Sequence, residues 1–325
     1  MAMRIFVTGG SGYLGRNLIR RLVADGHDVV ALARSDASAQ AVEMLGAKAP
    51  RGDILDRQSL VTGMAGCAGL VHAAADTGHA IHEPDQHATN LNGTRNIFTA
   101  AREAGIGRAV HISTEAVLLS GKPLVDATEA QPYPARFAGS YSASKAAAEQ
   151  MALSLSSPAM PIIAVRPRFV WGRDDTTALP QLIAAARSGK LAWIAGGTYL
   201  TSTTHIDNAV EGIVLALMHG KAGEAYFIAD DERSTFRSFV SRLLKAAGVE
   251  APDKTVPRMV VRAVVAIGST IERLTRGAIA APIGAQEYGT VGVEVTLNTD
   301  KARRELGYRP IISVNEGMST VVPAV

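Results

Sequence analysis

Short apolar runs alternate with amphipathic stretches through the first half of the chain. Ile5-Phe6-Val7, Val29-Val30-Ala31-Leu32, Gly69-Leu70-Val71-His72, Ala109-Val110-His111-Ile112 and Ile162-Ile163-Ala164-Val165 are nearly continuous apolar runs. Runs of this kind, without polar alternation, predict strands covered on both faces. Between them, Leu14 to Ala24 and Asn92 to Ala104 carry helical patterns. Strand-helix repetition with short turns predicts an α/β fold built on a doubly wound parallel sheet. After Pro167 helical patterns dominate, at Leu179 to Arg187, Ala209 to Met218, Phe236 to Ala247 and Met259 to Leu274. The expected division places the sheet in residues 1–170. A smaller, mostly helical portion, 171–325, packs against the sheet's C-terminal edge. That boundary is soft, because such chains can weave between lobes.

Composition narrows the class. The chain has 325 residues, enough for one large α/β domain or a domain with a smaller partner. A net charge of +3 without a basic run argues against a nucleic-acid partner. Cys67 is the only cysteine, which rules out an internal disulfide and a thiol metal cluster. The start of the chain enters directly into Arg4-Ile5-Phe6-Val7, with no charged-then-apolar leader. The most apolar helical stretch, Val256 to Leu274, is interrupted by Arg258, Arg262, Glu272 and Arg273, so no membrane span is expected. A reducing cytoplasm is the default location.

Three local patterns carry chemistry. Thr8-Gly9-Gly10-Ser11-Gly12-Tyr13-Leu14-Gly15 lies between the first strand and the first helix. Gly9, Gly12 and Gly15 serve a tight turn, close approach of backbone to a pyrophosphate, and packing of helix on strand. The pyrophosphate would rest on the positive helix N-terminus. At the end of the second strand, Ala33 stands where an NAD site offers a carboxylate, and Arg34-Ser35 follow. An arginine can fork onto a 2′-phosphate, so NADP(H) is favoured over NAD(H). Third, Tyr141 and Lys145 are one helical turn apart. A nearby ammonium favours phenolate, which would bring Tyr141 toward neutral titration and make it a proton donor or acceptor.

Several further pieces occur in order: Gly52-Asp53-Ile54, His72-Ala73-Ala74-Ala75, Asn90-Leu91-Asn92-Gly93-Thr94, His111-Ile112-Ser113-Thr114, Arg166 to Gly172, Thr204 to Asn208 and Ala302 to Pro310. With the glycine loop and Tyr141-x-x-x-Lys145 the set resembles the extended short-chain dehydrogenase/reductases, of the epimerase/dehydratase superfamily. Within them it looks most like the 3β-hydroxysteroid dehydrogenase and dihydroflavonol reductase branch. The resemblance covers nearly the whole chain and implies a Rossmann-type fold. It makes Thr114, Tyr141, Lys145 and Asn90 the catalytic set. Thr114 would hydrogen-bond the substrate oxygen, and Tyr141 would be the acid for ketone reduction or the base for alcohol oxidation. Lys145 would hold the nicotinamide ribose, and Asn90 would support the cofactor-side backbone. Asp53 and Ile54 would contact the adenine end. Ala73, Ala74 and Ala75 would line the dinucleotide path, beside the loop residues Ser11, Tyr13 and Leu14. Pro167, Phe169 and Val170 would border the nicotinamide. The family commonly dimerises through the catalytic helix and the helix near Asn92, so a homodimer is expected.

The expected reaction is NADP(H)-dependent interconversion of a bulky apolar ketone, of steroid, flavonoid or aryl type, and its secondary alcohol. The Val- and Ala-rich segment from Val256 suits such a substrate. Tyr133, Phe137 and Trp171 are candidate walls of its site, with Glu115 and Arg168 as candidate polar contacts. Dehydratase relatives place two acids after the catalytic threonine, whereas here Glu115 is followed by Ala116. A nucleotide-sugar epimerase with tightly bound NAD and a non-catalytic NADP-binding sensor are the alternatives. His205 reads as a structural histidine.

Overall fold

A computed structural model of the chain describes residues 2–75, 84–275 and 283–321, the side chains of 84–89, 272 and 273 excepted. The interrupting charges of Glu272 and Arg273 therefore lie outside the described side chains. Six parallel strands form the central sheet: β1 (Arg4–Thr8), β2 (Asp28–Ala31), β3 (Gly69–His72), β4 (Arg108–Ile112), β5 (Ile162–Pro167) and β6 (Ala225–Ile228). Their spatial order is β6-β5-β4-β3-β1-β2. Val7 lies opposite Ala31 on one side and Val71 on the other. The order reverses at β1, so a crevice opens beyond the C-terminal ends of β1 and β3, the ligand position in such sheets.

Helices cover both faces, which is why the strands read as unbroken apolar runs. Leu18, Ile19 and Leu22 of α1 (Tyr13–Ala24) pack one face, beneath strand residues Val7, Val71 and Val110. Ile97, Phe98 and Ala101 of α2 (Pro84–Glu103) pack the other, with Ala152 of α3 (Ser140–Ser154), the helix of Tyr141 and Lys145. Fully burying side chains of this size stabilises by about 1.5–3 kcal/mol each.

The chain does not divide cleanly at residue 170. The edge strand β6 and the helix α4 (Ile206–His219), whose Val210, Ile213 and Leu217 pack under the sheet, both come from beyond it. A second core gathers Trp171, Trp193 and residues Phe236, Phe239, Val240 and Leu243 of α5 (Phe236–Ala246). This part is not only helical. Leu124–Ala127, Leu200–Thr201, Ser234–Thr235 and Val295–Leu297 make a small mixed sheet of very short strands. Strands this short, interrupted by polar positions such as Thr201 and Asp126 rather than forming an unbroken apolar run, leave too little pattern to be read from sequence. The Val-rich helix α6 (Arg258–Leu274) brings Val261 and Val265 to the apolar cluster against which Tyr141 also packs.

Candidate active site

The glycine loop closes the crevice between β1 and β3. Gly9 has φ +71°, and a Cβ there would sit 2.6 Å from the Ala73 and Ala74 backbone. A Cβ on Gly15 would collide with the Gly9 carbonyl. Gly12 caps α1 without a side chain, so the helix N-terminus keeps its backbone donors for another partner. Thr8 binds the loop to the next strand: its Oγ1 lies 2.7 Å from His72 Nδ1 and accepts from the Ala74 N–H at 3.2 Å. Ala73, Ala74 and Ala75 thus run along the crevice, half-buried. Backbone donors, close-packed glycines and small side chains fit a dinucleotide pyrophosphate. Ser11 turns its carbonyl to Arg16, and Tyr13 and Leu14 begin α1, the Tyr13 hydroxyl buried without a partner among the described residues.

Arg34 and Ser35 follow β2. Ser35 caps the next short helix, accepting from the Ser38 N–H. Arg34 is exposed, and no described residue pairs with it. Arg51 lies opposite Ala33 across an isolated bridge and pairs with Asp36, a second cation at this rim. Only the pairing of strands brings Arg51 there. Asp53 holds a turn by accepting from the Leu55 N–H at 2.8 Å, while Asp56 is the cap of the following helix. Ile54 packs under Gly93 of α2, where a Cβ would meet it at 2.6 Å.

Thr114, Tyr141 and Lys145 come together where α3 meets the end of β4. Tyr141, half-buried, is packed against an apolar cluster that includes Ala116, Leu119, Ala138, Val261 and Tyr288, as is Val265. Lys145, buried, donates from Nζ to the Ile112 carbonyl at 2.8 Å. Asn90 of α2, also buried, reaches Ser144 at 3.4 Å, and Ser144 in turn donates to the Tyr141 carbonyl. Thr114 stands at the end of β4 and donates from Oγ1 to Glu115 Oε2 at 2.7 Å.

The titration of Tyr141 departs from the sequence expectation. Burial pushes the phenol well above its ordinary value, the Glu115 carboxylate adds to this, and a hydrogen bond with Thr114 opposes both. The Lys145 ammonium is turned to the strand carbonyl. Burial also brings that ammonium down to about 8, against the pull of Glu149 one turn further along α3. His72 and His111 lie with ring centroids 5.4 Å apart, their planes tilted by 39°. Burial, then the nearby ammonium, holds His72 at about 3 and His111 well below its ordinary value.

Several expected substrate contacts are placed otherwise. Trp171 is wholly buried, its indole N–H on Asp230 Oδ2 at 2.9 Å, and belongs to the second core rather than to a pocket wall. Arg168 is 1% exposed, and its guanidinium is committed to Glu115, Thr201 and the Thr290 carbonyl. It is not a free cation for a diphosphate. Tyr133 is half-buried with its hydroxyl on Glu149 at 2.6 Å, and Phe137 is half-buried against the same cluster as Tyr133. Arg166 forks onto Glu149 at 2.8 and 2.6 Å and anchors α3 to β5. The buried pairs Glu115–Arg168 and Glu149–Arg166 join residues 53 and 17 apart, a signal carried by the fold rather than by a motif. Pro167 ends β5 buried. Phe169, at φ +42°, rests edge-on against Phe236 and Phe239, and Val170 is half-buried beside it. His205 is buried as the cap of α4, and burial holds it at about 4.

A doubly wound sheet, a dinucleotide cradle at its switch point and a Thr/Tyr/Lys group beside it define an extended short-chain dehydrogenase/reductase, acting on CH–OH groups. The 3-beta hydroxysteroid dehydrogenase/isomerase family matches residues 6–258, and the chain belongs to that family. It is 46% identical over 319 residues to the 4-hydroxy-2-methyl-3-oxo-4-farnesyl-3,4-dihydroquinoline-1-oxide ketoreductase of Stigmatella aurantiaca, covering 98% of this chain and 96% of that protein. It is 34% identical to the 2-alkyl-3-oxoalkanoate reductase of Stenotrophomonas maltophilia, covering 97% of each. Among solved structures, dTDP-glucose 4,6-dehydratase DesIV from Streptomyces venezuelae, with NAD and TYD bound, matches with a TM-score of 0.76. Identity is 25%, covering 98% of this chain and 95% of that one. The family uses nicotinamide dinucleotides, and the similarity to a ketoreductase and a 3-oxoalkanoate reductase supports ketone/alcohol oxidoreduction. Among the described residues, no helix is long and apolar enough to cross a membrane.

Proposed function

We propose that this protein is an NADP(H)-dependent ketoreductase that interconverts a bulky, apolar ketone and its secondary alcohol. The observation that carries the reading is the setting of Tyr141. It lies among Ala116, Leu119, Val261 and Val265, with the buried Lys145 one turn away and Thr114 alongside. An apolar wall excludes water and favours an apolar substrate. NADPH, when bound, supplies the hydride. Gly9, Gly12 and Gly15 would hold its pyrophosphate, Arg34 with Arg51 its 2′-phosphate, and Asp53 and Ile54 its adenine end. Lys145 and Asn90 would hold and support the ribose side. Tyr141 gives its proton to the ketone oxygen, and in the reverse direction takes it back. The similarity to a ketoreductase named for a farnesyl-bearing ring ketone supports the same substrate class. The commitment of Arg168 within the protein weighs against a nucleotide-sugar epimerase.

The test is a panel of bulky ring ketones and sterol-type alcohols, with nucleotide sugars as contrast, assayed by absorbance of the reduced cofactor. Turnover of apolar ketones with NADPH is expected. Turnover of nucleotide sugars alone, or of nothing with either dinucleotide, would overturn the reading. The protein acts as a homodimer in this account, joined through α2 and α3, which pack together and carry half-buried Ala143 and Ala147. A single-chain mass by light scattering would contradict that.

A further inference from the structure

The helix that carries Tyr141 begins without a cap of its own. Gly139 stands at the N-cap of α3 and has no side chain to accept from the helix's first N–H groups. The acceptor comes from 144 residues further along the chain. Gln286 of α7 (Ala285–Val291) turns its Oε1 to the Ser142 N–H at 3.1 Å. Ser142 is the third residue of α3, a position that a cap side chain normally serves. Its N–H belongs to the same peptide unit as the Tyr141 carbonyl. That carbonyl accepts from Ser144 at 3.0 Å, and Asn90 of α2 reaches Ser144 at 3.4 Å. The peptide unit that follows Tyr141 is therefore held at both ends, by Gln286 on one side and by Ser144 with Asn90 on the other.

The amide of Gln286 is itself oriented. Thr290 donates its one hydroxyl proton to the Gln286 main-chain carbonyl at 2.9 Å, so the hydroxyl oxygen accepts from Gln286 Nε2 at 3.4 Å. That leaves Oε1 for Ser142. The two segments fit closely: a Cβ on Gly139 would lie 2.7 Å from Gln286 Cβ, and one on Gly289 would lie 2.8 Å from Ala138 Cβ. The same helix also reaches the Thr114 side. The Thr290 carbonyl accepts from Arg168 at 2.8 Å, and Arg168 pairs with Glu115, next in the chain to Thr114.

We propose that Gln286 is a positioning residue, which caps α3 from across the fold and fixes Tyr141 for proton transfer. The inference rests on the ketoreductase reading and makes the geometry of Tyr141 depend on the docking of the C-terminal part. Reacting groups misplaced by about 1 Å lose about 10²-fold in rate.

The test is reduction at saturating NADPH in Gln286→Met, which keeps an unbranched side chain and removes its acceptor. The kcat should fall about tenfold or more. The KM for the ketone and the NADPH affinity should stay within about twofold, as for an interaction that serves the chemical step alone. Gln286→Glu keeps an oxygen acceptor and should return kcat to within about threefold of wild type. Gly139→Ala cuts the same contact from the other side, at an extended φ of −168° that alanine adopts freely. It should slow reduction in the same way. G139A/Q286M should be within about twofold of the slower single variant, because both changes remove one interaction. Amide exchange at Ser142 gives a reading that needs no substrate, and should be about tenfold faster in Gln286→Met. If Gln286→Met does not fold, Gly139→Ala carries both measurements. An unmoved kcat in the folded variant, a change in KM alone, a Gln286→Glu variant as slow as Gln286→Met, or unchanged exchange at Ser142 would overturn the proposal. Absence of ketone turnover by the wild type, with exchange at Ser142 responding as stated, would instead remove the ketoreductase reading and leave the cap.

Discussion

At the scale of residues, motif and fold contribute different things. Tyr141, Lys145 and the glycines stand out by local spacing, one helical turn and one tight loop, whereas Thr114 is marked only by the family resemblance. The direction of the Tyr141 titration was not legible, because it depends on burial and on Glu115 rather than on the lysine one turn away. Arg168 and Trp171 read as site residues from their neighbourhood in sequence. Both side chains are instead consumed inside the protein. Arg34 shows what one exposed side chain can decide. Its replacement by alanine removes a charge-assisted contact worth about 1.5–3 kcal/mol. The Michaelis constant for NADPH should rise roughly tenfold or more, with that for NADH within about twofold. Equal effects on the two dinucleotides would sink the assignment.

At the scale of elements, the sequence pattern located five of the six strands of the main sheet, each an unbroken apolar run, and the long helices, but it missed the edge strand β6. It missed the start of α4, which begins at Ile206 because His205, an unusual cap, accepts from the Asp207 N–H at 3.2 Å. It missed the small mixed sheet for want of length. Two elements give sharp tests. Gly9→Ala places a Cβ 2.6 Å from backbone at a positive φ. It should cost about 1–3 kcal/mol of stability and abolish dinucleotide binding, read by urea unfolding and by cofactor fluorescence. Glu149→Ala removes the partner that ties Arg166 to the catalytic helix, leaving a buried charge alone. A loss of about 3–5 kcal/mol is expected from the urea midpoint, and an unchanged midpoint would show that the pair does not anchor α3.

At the scale of the whole molecule, the boundary near residue 170 reads as soft from the chain, and in the structure β6 and α4 rejoin the first sheet after the second core has begun. Strand pairing across such distances is a property of topology and leaves no local trace. The same topology sets His72 beside His111 across β3 and β4, where both are buried and neutral. His72 titrates at about 3 folded, against an ordinary 6.5. A depressed value gives stability that is complete above 6.5 and is lost as pH falls toward 3. By pH 5 this histidine alone should remove about 2 kcal/mol. His111 acts in the same direction. Urea unfolding at pH 7 and pH 5 measures the loss. Stability unchanged over that interval would mean that the histidines are reached by water or paired in solution.

The central claim, that Tyr141 is the proton donor of a ketone-reducing site, is tested most directly by single-turnover reduction of a ketone found in the panel. Wild type and Tyr141→Phe would be compared with NADPH prebound. The account predicts that Tyr141→Phe binds NADPH within about threefold of wild type while reduction slows by about 10²–10⁴-fold. Reduction surviving within a few-fold of wild type in the folded, NADPH-loaded variant would contradict it.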